Sequence, residues 1–574
     1  MLVMLSSCQK DSDSVSNDEE QVDDSSGDNS GNDDNVENVE GHEDAEDYIW
    51  DSSEVIFITL NGTSITEDTD SAEADGSTVT ITSPGTYSFS GTLTDGQIIV
   101  DTDEDGIVRL ILNGVNISSS SSAPIFISSA EKTLVVLNEG TENYLTDSDS
   151  YVFEGDDDEP NAALFSKDDL TIYGEGSLTV TGNYNDAIAS KDGLIIRDAN
   201  INVISVDDGI RGKDYLIVKD GTIDVDAGGD GLKSDNEDAG TGYISIDDGD
   251  ITIDADGDAM QAESDVIIAD GTFDITTGGG SGSSYDDDSS IKGIKAGVSI
   301  EIDGGTFTVN SADDAVHSNG SLQIDGGSFA LSSGDDGIHA DSSIIINDGE
   351  INIAKSYEGI ESAVITINDG DINIVSSDDG INVAGGNDGS TTGRPGSGSF
   401  NSSTDYYLYI NGGYIVVDAT GDGMDSNGSI VMTDGTVIIN GPTSSQNGAI
   451  DYNSTFTISG GILLAAGSSG MAQAPSSSSS QHSVSLTFKS QQQAGTLVHV
   501  QTSGGDEIFT FAPSKKFQSL VFSLPELAGG TTYSIYYGGS STGTESDGLY
   551  DGGEYTPGTL YNTFTISGTN TNVN

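Results

Sequence analysis

One short pattern returns down this chain at a near-constant interval, and few folds accommodate it. It reads Asp207-Asp208-Gly209-Ile210, then Gly229-Asp230-Gly231-Leu232, Gly257-Asp258-Ala259-Met260, Asp313-Asp314-Ala315-Val316, Asp335-Asp336-Gly337-Ile338, Asp378-Asp379-Gly380-Ile381 and Gly421-Asp422-Gly423-Met424. Looser copies stand at Asn185-Asp186-Ala187-Ile188, Ser290 to Ile294 and Tyr357-Glu358-Gly359-Ile360. Asp186, Asp208 and Asp230 are spaced 22 residues apart, as are Asp314, Asp336 and Glu358. A period of about 20–25 residues belongs to stacked solenoid coils rather than to a globular alternation of elements.

Between quartets lie two short runs of alternating aliphatics joined by Asp-Gly. Examples are Leu216 to Val218, Asp220-Gly221 and Ile223 to Val225, or Ile344 to Ile346, Asp348-Gly349 and Ile351 to Ile353. Alternation is the strand period, and Asp-Gly marks a bend that needs positive φ. One coil is therefore strand, turn, strand, turn, quartet. The reading is an all-β parallel β-helix of about twelve coils. Its inward column is Ile188, Ile210, Leu232, Met260, Ile294, Val316, Ile338, Ile360, Ile381 and Met424.

The carboxylates of the quartets then form a ladder, with neighbours about 4.8 Å apart. Like charges at that spacing repel by about 1 kcal/mol in water and about 3–4 kcal/mol at an effective dielectric of 20. Such a ladder calls for cations. Ca²⁺, which takes hard oxygens in flexible geometry, is the expected cofactor. The candidate ligands are Asp186, Asp207, Asp208, Asp230, Asp258, Asp313, Asp314, Asp335, Asp336, Asp378, Asp379 and Asp422. The preference of Asp for turns would also place it before Gly, and stands as the competing explanation.

Net charge narrows the partners. At −80, with 17 Lys and Arg among 574 residues, the chain lacks the basic footprint that nucleic acid or an anionic membrane surface requires. Cys8 is the one cysteine, so no internal disulfide forms. Leu5-Ser6-Ser7-Cys8 resembles a bacterial lipobox, and Gln9-Lys10-Asp11-Ser12-Asp13 resembles an acidic surface-export signal. Lipidation at Cys8 is expected, with an extracytoplasmic protein touching the membrane only through its anchor. Residues 9–47 read as a disordered acidic tether and 48–160 as an N-terminal β cap with the first coils. Residues 161–466 read as the regular β-helix, 467–482 as a linker and 483–567 as a C-terminal β cap or small sandwich. Insertions at 278–290 and 385–405 read as loops projecting from one face.

Several runs carry a family resemblance. They are Asn161-Ala162-Ala163-Leu164-Phe165-Ser166-Lys167-Asp168-Asp169-Leu170, Gly174 to Leu178, Asp207 to Asp214, Asp230 to Asp235 and the tail from Gly467 to Tyr533. Together they resemble the clostridial-type carbohydrate-binding domain family across about 55–540. The resemblance implies a calcium-containing, right-handed parallel β-helix, shaped like pectate lyases and associated with cellulose-like and acidic plant polysaccharides.

Basic residues are scarce yet concentrated between Lys167 and Lys295. Arg211, Lys233 and Lys295 each follow the aliphatic of their quartet, so they should share an outward column continued by His317 and His339. With Lys213 they are the candidate substrate-binding residues for sugar carboxylates. Compensation of the acidic ladder explains them equally well. No catalytic residue is assigned, because evenly repeated aspartates suit a repeated ligand better than a singular reaction centre. The expectation is non-catalytic, calcium-dependent binding of polysaccharide. A pectate-type lyase and a structural or adhesive stalk are the alternatives.

Overall fold

Side-chain burial follows the repeat coil by coil. The structure is a computed structural model that describes residues 42–153, 158–284, 289–384 and 406–574. The expectations for Cys8, for residues 9–41 and for the inserted segments 285–288 and 385–405 lie outside those residues. Nearly everything is strand; a single 3-10 turn, Ala45–Tyr48, is the one helical element among the described residues.

Three parallel sheets wind into a β-helix of about fifteen turns. The first sheet carries the quartets. Its register runs Leu164, Ile188, Ile210, Leu232, Met260, Ile294, Val316, Ile338, Ile360, Ile381 and Met424, each facing the next. These aliphatics are fully buried, as expected. The second sheet stacks Leu194, Leu216, Ile244, Val266, Ile300, Leu322, Ile344 and Ile365. The third stacks Ile201, Ile223, Ile251, Phe273, Phe307, Phe329 and Ile351. Within it Phe273, Phe307 and Phe329 lie face to face, with centroids 4.6 Å apart at each step.

The turn between the second and third sheets is the Asp-Gly bend. Gly221 has φ of 140° and Gly249 of 137°, and each glycine N–H is accepted by the carboxylate of the aspartate before it. Only glycine sits there without strain.

The coil count exceeds twelve because winding begins earlier than the quartets do. Thr78–Ile81, Gln97–Asp101 and Ile125–Ser129 already stack in parallel on Ala162–Ser166. Their connecting turns differ in length, so no fixed period announces them. Residues 42–50, placed partly in the tether, lie against the solenoid flank. His42 lies tilted against Tyr215 with ring centroids 4.0 Å apart, Asp47 pairs with Lys132, and Trp50 packs against Arg109 at 5.3 Å.

Residues 467–482 are not a free linker. Ser476 donates its amide to Phe456 O, and Ile458 donates its amide to Ser479 Oγ, closing the edge of the last coil. Beyond it, Phe517–Ser523 pairs antiparallel with both Ile462–Gly467 and Ser483–Gln492. A separate six-stranded antiparallel sheet packs over it through Phe488, Phe511, Phe517, Phe522 and Tyr533. The C-terminal region is thus a β-sandwich with one layer continuing the solenoid, and it covers the strand edge the solenoid would otherwise expose.

Candidate functional site

The acidic ladder has a backbone task before it has any other. Asp186 Oδ1 accepts the amide of Asp208 at 3.3 Å, and Asp208 Oδ1 that of Asp230 at 3.0 Å. Asp230 Oδ1 accepts the amide of Asp258 at 2.8 Å, Asp258 Oδ1 that of Lys292 at 2.7 Å, and Asp314 Oδ1 that of Asp336 at 2.8 Å. One oxygen per coil therefore satisfies a buried amide that the turn would leave unpaired. That accounts for a short side chain with an acceptor at this place in most coils; Lys292 and Glu358 depart from it. The second oxygen sets the electrostatics.

Its partners come from the residue after each aliphatic. The register runs Arg211, Lys233, Gln261, Lys295, His317, His339, Glu361, Asn382 and Asp425. The column changes from cationic, through imidazole, to acidic along the solenoid. The sequence reading followed it only as far as His339; counting one residue past each aliphatic would have found Glu361, Asn382 and Asp425.

In the basic part the cations are spent on the ladder rather than presented outward. Lys233 Nζ lies 3.0 Å from Asp208 Oδ2 and 2.7 Å from Asp230 Oδ2. Lys295 Nζ is 3.4 Å from Asp258 Oδ2. Arg211 grips Asp235 through Nη2, at 3.0 and 2.7 Å, and stands 4.0 Å from Asp186 Oδ2. Lys292, which takes the carboxylate's own place in the quartet, is 4% exposed and lies 2.9 Å from both Asp313 and Asp314. The expected outward column is therefore half-buried at Arg211, Lys233 and Lys295 and fully buried at His317 and His339. Reaching the ladder's second oxygen draws each side chain inward.

Lysine ammonium groups thus meet five of the candidate ligands, Asp208, Asp230, Asp258, Asp313 and Asp314, and balance part of their charge. Asp207 is exposed, Asp335 gathers with Asp313 and Asp314, and Asp378 bonds Tyr357. Asp186 keeps a buried Oδ2 without a hydrogen bond, and burial together with the Asp208 charge pushes its carboxyl up to about 8.

The imidazoles follow. His317 Nδ1 faces Asp314 Oδ2 at 2.8 Å and His339 Nδ1 faces Asp336 Oδ2 at 3.2 Å, with the rings stacked at 4.8 Å. Beyond them the pairs are acid against acid. Asp379, Asp422 and Asp425 bring oxygens within 4.8 Å of one another, and no Lys, Arg or His pairs with them among the described residues. Burial, then neighbouring carboxylate charge, holds Asp379 up to about 8 and Asp425 at about 7; burial holds Asp422 at about 6.

A cavity of about 210 Å³ opens beside the basic coils, lined by Asp158, Glu159, Asn161, Lys191, Arg211 and Lys213. Glu159 pairs with Lys191 and, at 3.4 Å, with Lys167. Lys213 has no carboxylate within ion-pair distance among the described residues. The structure thus brings Arg211 and Lys213 together, while Lys233 and Lys295 stand further along the ladder and do not line the cavity.

Comparison with known proteins places these features. A relative from Acetivibrio thermocellus, described as a carbohydrate-binding domain-containing protein, is 43% identical over 156 residues, which are 27% of this chain and 51% of the relative. The chain therefore spans about half the length of that curated relative. A solved structure described as a polysaccharide lyase-like protein from C. thermocellum, in a gadolinium derivative, is 35% identical and covers 44% of this chain and 96% of its own, with a TM-score of 0.39. The family model of the carbohydrate-binding domain-containing proteins matches residues 75–337, so the resemblance seen in the sequence holds from the first coils to the coil of His317.

Proposed function

We propose that this protein binds an acidic polysaccharide without transforming it, and that calcium supports the binding domain. The observation that carries the reading is the cavity at Lys191, Arg211 and Lys213. In a chain of net charge −80, it gathers three cations beside Asp158 and Glu159 at one opening within the family-matched segment, and Lys213 has no carboxylate within ion-pair distance among the described residues. A uronate carboxylate fits there as a charge-assisted hydrogen-bond acceptor. Asp379, Asp422 and Asp425 would hold the calcium: they are all-oxygen, mutually close and without a cationic partner among the described residues. The ion would neutralise them and join neighbouring coils. The Leu5-Ser6-Ser7-Cys8 motif supports placement at a bacterial cell surface through a lipid anchor.

The test is a Lys191→Ala/Lys213→Ala double variant measured on polygalacturonate and on a neutral glucan. At roughly 1.5 kcal/mol per charge-assisted hydrogen bond, each lost cation weakens uronate binding about tenfold. The neutral glucan should be unaffected. Equal losses on both polymers, or none, would remove the cavity as the binding site. Formation of unsaturated uronate by the wild type would favour the lyase alternative.

A further inference from the structure

We infer that Asp336, His339 and Glu361 form a binding site for a transition-metal dication of the Zn²⁺ class, separate from the all-oxygen calcium cluster. One donor atom from each of Asp336, His339 and Glu361 lies within 4.8 Å of the other two. Nδ1 stands 3.2 Å from the aspartate oxygen and 3.6 Å from the glutamate oxygen. Ligands bonded to Zn²⁺ at about 2.0–2.2 Å in a tetrahedron are about 3.3 Å apart, close to both distances from Nδ1.

The rest of each side chain is fixed by the protein. Asp336 Oδ1 accepts the amide of Glu358 at 3.2 Å. Glu361 Oε1 accepts a longer bond from Asn382 Nδ2 at 3.4 Å. His339 Nε2 faces Asp341 Oδ1 at 3.2 Å, and since a carboxylate only accepts, Nε2 carries the proton. This carboxylate–imidazole arrangement orients a metal-binding histidine. Nδ1, facing two carboxylate oxygens, holds a proton in the metal-free protein that an arriving dication would displace. An imidazole lone pair set against two carboxylate oxygens is repulsive unless a cation or a proton lies between them.

No lysine or arginine pairs with Asp336, Glu358 or Glu361 among the described residues. That is the reverse of the neighbouring coil, where Lys292 meets Asp314. Asp336 and His339 are 5% and 3% exposed, so bulk water does little to screen the cluster. The imidazole separates this site in kind from Asp379, Asp422 and Asp425. Nitrogen with carboxylate suits zinc and its neighbours, whereas carboxylate alone suits calcium.

The experiment uses the full chain stripped with chelator and titrated with Zn²⁺, Co²⁺ and Ca²⁺. Expected are one tightly bound Zn²⁺ per chain, a visible Co²⁺ absorption in its place, and no displacement by millimolar Ca²⁺. Glu361→Gln, at a partly buried position, and His339→Gln should each weaken Zn²⁺ at least tenfold and leave the Ca²⁺ isotherm unchanged. Circular dichroism would confirm that each variant is folded. Loss of both ions together would place them in one undivided acidic column and overturn the inference. So would unchanged Zn²⁺ affinity in Glu361→Gln, or a His339 ring that stays doubly protonated by NMR with Zn²⁺ in excess. Neither of these last two outcomes would touch the calcium reading.

Discussion

Replacing Lys233 by Met should destabilise the solenoid, and the size of the loss should depend on pH. The ammonium lies between Asp208 Oδ2 and Asp230 Oδ2, at 3.0 and 2.7 Å, and these carboxylates are only 8% and 15% exposed. Stripping one partner from a buried ion pair costs about 3–5 kcal/mol. The Lys233 side chain is 23% exposed, so the lower end, about 3 kcal/mol, is the expectation. Burial already raises the Asp208 carboxyl, and the lysine holds it down. Without the lysine the folded-state value of Asp208 should rise further above its unfolded value. A carboxylate raised by folding penalises the folded state fully above its folded value, and the penalty fades as pH falls towards the unfolded one. The deficit should therefore be largest near pH 8 and shrink towards pH 5. The assay is guanidinium unfolding followed by circular dichroism at both pH values, for wild type, Lys233→Met and Lys233→Met/Asp208→Asn/Asp230→Asn. Asparagine keeps the oxygen that caps the next coil's amide and removes the charge, so the triple variant should recover most of the loss. A deficit equal at both pH values, or no rescue by asparagine, would refute the view that Lys233 serves the ladder electrostatically.

Other tests address the remaining coils. With chelator present, the raised carboxyls of Asp379, Asp422 and Asp425, at about 8, 6 and 7, should make the protein more stable as pH falls from 8 to 5. Calcium should abolish that trend and raise the melting temperature, and a melting curve indifferent to both would end the calcium reading. Phe307→Ala should cost about 3–5 kcal/mol, since the ring is fully buried between Phe273 and Phe329. A loss below about 1 kcal/mol in the same unfolding assay would mean that the stack relaxes around the gap.

The repeat alone was enough to write the coil. Ile210, Leu232, Met260 and their successors face one another because every coil meets the same neighbour, so a single residue choice is made again at each turn of the chain. Asp220-Gly221 and Asp248-Gly249 are local in the same way: the glycine takes the positive φ and the aspartate holds its amide. Where the period failed the reading lost detail: the coils ending at Ile125–Ser129 were expected but not counted, and 467–482, read as a linker, closes the edge below the expected C-terminal sandwich. The charges were legible as a pattern but not as partners. The quartets made the ladder evident, yet only the fold shows that Lys292 reaches Asp313 and Asp314, and that Lys233 turns in towards the coil before its own. Burial in a solenoid is fixed by the backbone, which the period dictates. The partner of a charge is fixed by where a long flexible side chain comes to rest among several carboxylates of nearly equal distance, and that choice is settled only when neighbouring coils pack together.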